Sequence, residues 1–176
     1  RLGRIIIEYK NDSQSPSFKM SGDKTKLVEW MKDHSSLSDD GIWIEPFMGS
    51  GVVGFNMRPS HAIFSDVNPH IINFYNAIKQ GKITAGIAKE FLEKEGTLLQ
   101  SKGEDHYYEV RERFNEYGNP LDMLFLNRAC FNGIMRFNKK GGFNVPFGHK
   151  PERFAKPYVT KITNQIKYVA DATSQY

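Results

Sequence analysis

Cysteine is almost missing: Cys130 is the one example among 176 residues. That excludes a disulfide framework and any four-cysteine zinc site. The five histidines, at 34, 61, 70, 106 and 149, have no metal-ligand spacing, so no metal is expected. No apolar run approaches the roughly 18 residues of a membrane-spanning helix. The opening stretch, residues 1–9, contains only Ile5-Ile6-Ile7 as an apolar run, too short for a signal-peptide core. Proline is sparse as well, eight residues with no two adjacent. Together these absences predict a soluble chain in a reducing, intracellular setting, with no membrane partner.

What is present suffices for a packed core. Hydrophobic residues make up 39% and aromatics 13% of the chain, so wholesale disorder is not expected. The length fits one domain, or one domain with part of another. The net charge of +4 is unevenly spread. Residues 81–122 hold six Lys/Arg against nine Asp/Glu, whereas residues 128–161 hold eight against one. The second stretch is either a polyanion-binding face or a solvated loop facing an acidic neighbour.

The order of segments is informative. Residues 10–19 are polar and turn-rich, a loop or arm. Residues 24–34 have helical spacing, 41–45 read as a strand, 46–51 as a turn, and 52–57 as a short helix stopped by Pro59. A second strand at 62–66 and a helix at 69–80 complete a strand–helix–strand–helix pattern. Such a pattern implies a parallel sheet with a ligand at the carboxyl ends of its strands. Beyond Gly81 helices are predicted at 84–100, 107–117, 121–127 and 160–172. The turn signal Asn138-Lys139-Lys140-Gly141-Gly142 predicts a β-hairpin or loop over 132–147. An insertion at about 81–157 is therefore expected to interrupt a nucleotide-binding type of sheet.

The turn Glu45-Pro46-Phe47-Met48-Gly49-Ser50-Gly51 joins strand to helix. Gly49 and Gly51 let the backbone bend sharply and approach a ligand. Asp66 ends the next strand, where a carboxylate can accept hydrogen bonds from two ribose hydroxyls. Gly49-Ser50-Gly51-Val52-Val53-Gly54 also satisfies G-x-G-x-x-G, the dinucleotide fingerprint of nicotinamide enzymes. Glu45 would repel a pyrophosphate but can bind an ammonium, as on the methionine part of S-adenosylmethionine, and so favours a sulfonium cofactor. Without a ligand, the same glycines would form an ordinary tight turn. Ahead of this strand, Lys24 could meet a cofactor carboxylate and Lys19 could meet DNA, or both could be ordinary solubilising groups.

Residues 127–148 alternate arginine, asparagine and aromatics around a glycine turn. Arginine can fork onto guanine O6 and N7, asparagine can bind phosphate or adenine, and phenylalanine can wedge into a base step. The same phenylalanines could instead pack a small core. Both roles are expected, with Arg136 and Asn132 outward. Cys130 is expected to be a buried small hydrophobe rather than a nucleophile.

These stretches resemble the Dam family of DNA adenine-N6 methyltransferases, group alpha, and among them the EcoRV-type modification methylases of restriction–modification systems. The resemblance rests on Ser21-Gly22-Asp23-Lys24-Thr25-Lys26-Leu27, the turn from Glu45 to Val53, Ser65-Asp66-Val67-Asn68-Pro69-His70, residues 107–115, Phe125-Leu126-Asn127-Arg128 and the block from Phe131 to His149. Residues 1–17 find no counterpart. The resemblance implies an α/β, Rossmann-like S-adenosylmethionine-dependent methyltransferase fold with an inserted, mainly helical DNA-recognition domain carrying a β-hairpin. It divides the chain into a catalytic part (1–80), a target-recognition domain (81–157) and the start of a return to the catalytic domain (158–176). It implies S-adenosylmethionine binding by Met20, Lys24, Glu45, Pro46, Phe47, Gly49, Gly51 and Asp66, with S-adenosylhomocysteine as product. Met20 stands where relatives often carry an aromatic. Double-stranded DNA is the implied partner, contacted by Lys19, Arg128, Phe131, Asn132, Ile134, Arg136, Asn138, Lys139, Lys140 and Pro146. Arg136 would read a guanine, Phe131 would insert near the target pair, and the site would begin GAT. A cytoplasmic protein of bacterial or phage origin follows.

Family members also carry Asp-Pro-Pro-Tyr or a close variant, whose acceptors hold the N6 amino group of an extruded adenine. With no adjacent prolines, this chain lacks it and holds no catalytic residue. The expectation is an N-terminal portion of a longer enzyme that does not methylate alone. Two rivals stand beside it: a DNA-binding module without catalysis, and a nicotinamide-dependent oxidoreductase.

Overall fold

The computed structural model describes residues 3–8, 25–35 and 41–173. They fall into two compact units, one drawn from 3–8, 25–35, 41–82 and 165–173, the other from 83–164.

In the first unit three strands form one sheet. Strands β2 (Ile42–Glu45) and β3 (His61–Asp66) are parallel, with Glu45 opposite Phe64. Parallel neighbours need a crossover, and the helix α2 (Val52–Met57) lies on it. Strand β1 (Gly3–Glu8) pairs antiparallel along the other side of β3. Trp43 of β2 and Met31 of α1 (Thr25–His34) pack on Val52, Val53 and Met57 of α2. Gly54 allows α2 to seat against the sheet: a Cβ there would fall inside the buried Phe64 ring and 2.8 Å from Glu45 Oε2. Helix α3 (Pro69–Lys79) starts on Asn68, whose side chain accepts from His70 N at 3.0 Å, with Pro69 preset for the first turn.

The second unit packs α4 (Ala85–Lys102), α5 (Glu104–Tyr117) and α6 (Pro120–Ala129) around Leu92, Leu99, Tyr107, Val110, Phe114, Leu124 and Phe125. Its interior holds charge in paired form. Asp122, fully buried, accepts from Arg113 Nε and Nη2 at 2.9 and 2.6 Å. Buried Glu95 meets His106 Nε2 at 2.8 Å. Pairing offsets the desolvation that would otherwise make these groups too costly to bury. Helix α7 (Lys156–Thr173) runs from this unit into the first, where Tyr168 donates to Phe55 O at 2.9 Å and accepts from Arg58.

The isoleucine run near the start lies in β1, a pairing across more than fifty residues that no local pattern encodes. Of the hairpin or loop expected over residues 132–147, the structure shows an interrupted form with no continuous ladder. The segment makes a 3-10 turn at Phe131–Gly133 and two isolated bridges, Cys130 with Phe147 and Phe137 with Phe143. Pro146 has no N–H to give, and Asn132 is left-handed at φ 53°, so regular pairing is interrupted. Side chains supply the missing partners. Asn115 of α5 donates to Phe143 O at 3.1 Å and accepts from Phe143 N at 2.7 Å, and Tyr107 donates to Val145 O at 2.8 Å. At the far turn Asn138 Oδ1 accepts from Lys140 N and Gly142 N at 2.9 and 3.0 Å. The expected arm at residues 10–19 lies outside the described residues.

Gly54→Ala is expected to destabilise the first unit by roughly 1–3 kcal/mol, through overpacking against a ring that cannot retreat; urea unfolding followed by circular dichroism checks this. Cys130 is buried, and burial pushes its thiol up from 9.0 to about 11, with Arg153 partly opposing. The native chain should therefore resist a thiol reagent at pH 8 and react on unfolding. Because the folded pKa is raised, the neutral thiol's contribution to stability is complete below pH 9.0 and fades towards about 11. Denaturation midpoints of wild type and Cys130→Ala across that range test the sign: the wild type should lose more.

Candidate functional site

The first group of residues gathers at the carboxyl ends of the parallel strands. Gly49 and Gly51 are both left-handed, at φ 50° and 65°, so side chains there would be strained. Among the described residues nothing lies within 4 Å of where a Cβ would sit at Gly49, whereas at Gly51 that place is filled by Phe55.

Two carboxylates organise this turn. Asp66 Oδ2 accepts from Gly49 N at 2.9 Å and Oδ1 from Asn68 N at 2.8 Å. Each carboxylate oxygen has two acceptor positions, so these bonds orient Asp66 without exhausting it. Buried Glu45 accepts from Gly54 N, in the first turn of α2, at 3.0 Å. Met48 N donates to Ser65 O at 3.0 Å, tying the turn to β3. Tyr75 of α3, which motif reasoning missed, donates to Ser50 O at 2.6 Å. Burial, reinforced by Glu45 and Asp66, pushes its phenol pKa far up, so it stays a donor at every working pH. The only signal for Tyr75 was the helical apolar period of α3. Pro46 and Phe47 are exposed, Phe47 at 74%. Lys19, Met20 and Lys24 lie outside the described residues.

The approach at Gly49, the oriented carboxylate of Asp66 and the exposed Phe47 ring offer an acceptor for a ribose and a face for an aromatic base. At the start of α2 one backbone donor, the Gly54 N–H, is already bonded to a buried carboxylate.

The second group lies in the other unit. Phe143 and Phe147 are buried and Phe137 half-buried, whereas Phe131 is 52% exposed. Asn132, Arg136, Asn138, Lys139, Lys140 and Pro146 are exposed, and Ile134 and Arg128 are half-buried. Phe131 N donates to Pro146 O at 2.9 Å, which holds those two residues side by side. Arg128 and Asn132 share a cavity of about 300 Å³ with Asn127, Lys150, Glu152, Arg153 and Tyr158. Arg128 Nε is buried there with no hydrogen-bond partner among the described residues. Burial, then the neighbouring Arg153, lowers the Arg128 pKa. Arg153 donates through Nη1 to Arg128 O and Cys130 O at 3.3 and 3.2 Å. Among the described residues, none of the eight basic side chains of 128–161 is in an ion pair. Glu152, the one carboxylate of that segment, shares the cavity with Arg128, Lys150 and Arg153 without forming a salt bridge to them. Lys150 and Arg153, which also line the cavity, stood out in the sequence only through the charge count of the segment.

Known proteins share this arrangement of residues along the chain. Residues 21–175 match the family described as D12 class N6 adenine-specific DNA methyltransferase. A DNA adenine methylase from Vibrio cholerae is 36% identical over 149 residues, covering 82% of this chain and 50% of the relative. One from Escherichia coli K12 is 34% identical over 146 residues, covering 80% and 48%. The Type II methyltransferase M.MjaIII of Methanocaldococcus jannaschii is 31% identical, covering 88% and 60%. The chain thus spans about half the length of the curated relatives it matches. The match takes in both the glycine turn with its carboxylates and the arginine-rich segment, and the chain belongs to the D12 class N6 adenine-specific DNA methyltransferase family.

Proposed function

We propose that this chain carries the cofactor-binding and target-reading parts of a sequence-specific DNA adenine-N6 methyltransferase of a restriction–modification system, acting in the cytoplasm. The observation that carries this is the chemistry of the turn: two backbone N–H groups of the kind a phosphate-binding loop keeps free, those of Gly49 and Gly54, are bonded to the carboxylates of Asp66 and Glu45. That sign suits a cationic, ribose-bearing ligand. S-adenosylmethionine, when bound, supplies a methyl group on a positively charged sulfur. On this reading the first unit is part of a Rossmann-like domain and the second unit is an inserted recognition domain.

Each residue then has a defined task. Asp66 accepts from the ribose hydroxyls, Glu45 faces the ammonium, Lys24 meets the carboxylate, and Pro46, Phe47 and Met20 wall the site beside Gly49 and Gly51. Across the DNA, Arg128, Lys139, Lys140 and Lys19 meet phosphates, which sets affinity and makes it salt-dependent. Asn132, Ile134, Asn138 and Pro146 line the groove, and Arg136 reads a guanine in a site beginning GAT. Phe131 inserts beside the target pair, offsetting a base-extrusion cost of roughly a few kcal/mol. The chain has no adjacent prolines to supply the acceptors for the adenine amino group, so it binds but does not transfer methyl by itself.

Calorimetric titration with S-adenosylhomocysteine tests the cofactor site. Asp66→Asn should weaken binding about tenfold while leaving the circular dichroism spectrum intact, as one lost charge-assisted bond of roughly 1.5 kcal/mol would do. An unchanged titration removes Asp66 from the site, and thermal protection by NADH but not S-adenosylhomocysteine overturns the cofactor assignment. For the DNA, Arg136→Ala should reduce discrimination between cognate and scrambled duplexes by roughly 1–3 kcal/mol. Equal loss on both duplexes would make Arg136 a phosphate contact instead.

A further inference from the structure

Arg136 is exposed, yet part of its guanidinium is already committed. Nε donates to Asn144 Oδ1 at 2.9 Å, and Nη2 donates to Asn144 O at 3.2 Å. Asn144 N in turn donates to Arg136 O at 3.2 Å. One residue therefore engages Arg136 through its side-chain amide, its carbonyl and its N–H.

Asn144 is itself fixed from both sides. Phe143 is buried and clamped at both backbone groups by Asn115, and Val145 O accepts from Tyr107. Asn115 and Tyr107 both belong to α5. The orientation of the Arg136 fork is thus referred to a helix rather than to a loop.

A guanidinium can meet the two acceptors of guanine by either of two edges, one made by Nε with a terminal nitrogen and one made by the two terminal nitrogens. Asn144 fills the first edge. The second, Nη1 with the remaining hydrogen of Nη2, is left to point away. We propose that Asn144 is a positioning residue for base readout: it occupies the Nε edge of Arg136, so that guanine O6 and N7 are read end-on by Nη1 and Nη2. This rests on the assignment of Arg136 as the guanine reader. Holding the fork before binding means that less freedom is lost on contact, and that a base lacking one acceptor cannot be met by swivelling to the other edge.

The test uses the full chain and fluorescence anisotropy on duplexes carrying a site that begins GAT. Each guanine is replaced in turn by 7-deazaguanine, which lacks the N7 acceptor. Wild type should prefer the intact duplex by about 5- to 100-fold at one guanine. Asn144→Ala should cut that preference at least about threefold, with the slope of affinity against salt unchanged. Asn144→Asp, which keeps an acceptor for Nε, should restore most of it. In an Arg136→Ala background, Asn144→Ala should change the preference no further. As a second measurement, the Arg136 Nε–H should exchange slowly with solvent in the wild type and quickly in Asn144→Ala, with the melting temperature preserved.

If Asn144→Ala weakens both duplexes equally and lowers the salt slope by about one, Asn144 is a phosphate contact and the proposal fails. Unchanged preference together with fast Nε–H exchange would show that positioning is irrelevant to readout. If Arg136→Ala itself leaves the preference intact, the guanine-reading assignment fails first, and the positioning role falls with it.

Discussion

The first unit depends on the absence of a side chain at residue 54. Because Gly54 has no Cβ, α2 can lie close against the Phe64 ring, and Glu45 at the end of β2 can reach the Gly54 N–H. That single bond joins the last residue of one strand to the first turn of the helix that follows. It places a buried carboxylate at the positive end of α2, where the charge is favoured. The turn in between, Pro46 to Gly51, is then closed by Asp66 and Ser65 of β3 and by Tyr75 of α3.

The second unit shows how one charge distribution serves two ends. The acidic stretch 81–122 turns its most buried carboxylates, Glu95 and Asp122, inward onto His106 and Arg113. The basic stretch after residue 128 is left outward, and Arg128 and Arg153 share a cavity despite like charge. Like charges are brought together only where folding fixes them, and Arg153 is fixed by the carbonyls of Arg128 and Cys130. Like charge held in place in this way is a field that an entering anion would relieve.

Much of this was legible in the sequence, for identifiable reasons. The order β2, α2, β3, α3 follows from local apolar periods, and Pro59, Asn68 and Pro69 punctuate it. Gly49 and Gly51 read as turn glycines, and both adopt the left-handed conformation that their residue type permits. Cys130, set among apolar neighbours, is buried as expected. What escaped was long-range. β1 pairs with a strand far away in the chain, Asn115 clamps Phe143 from another element, and Tyr107 holds Val145. Asn144 illustrates the limit best. Beside the aromatics and glycines of its segment it looks like another polar loop residue, and its bonds to Arg136 exist only because two side chains from α5 fix the residues on either side of it.

The sign of the charge at the glycine turn is a property that its spacing alone does not encode. A G-x-G-x-x-G spacing is a statement about backbone shape: it says where a chain can bend and how near a ligand can come. It does not say whether the groups facing that ligand are donors or acceptors. Here the Gly54 and Gly49 N–H groups are both bonded to carboxylates, and the nearby Tyr75 phenol is held protonated by burial and by those same negative charges. On the proposed reading, a pyrophosphate brought to this turn would find two of its N–H groups taken and two like charges beside it, whereas a ribose would find an oriented acceptor.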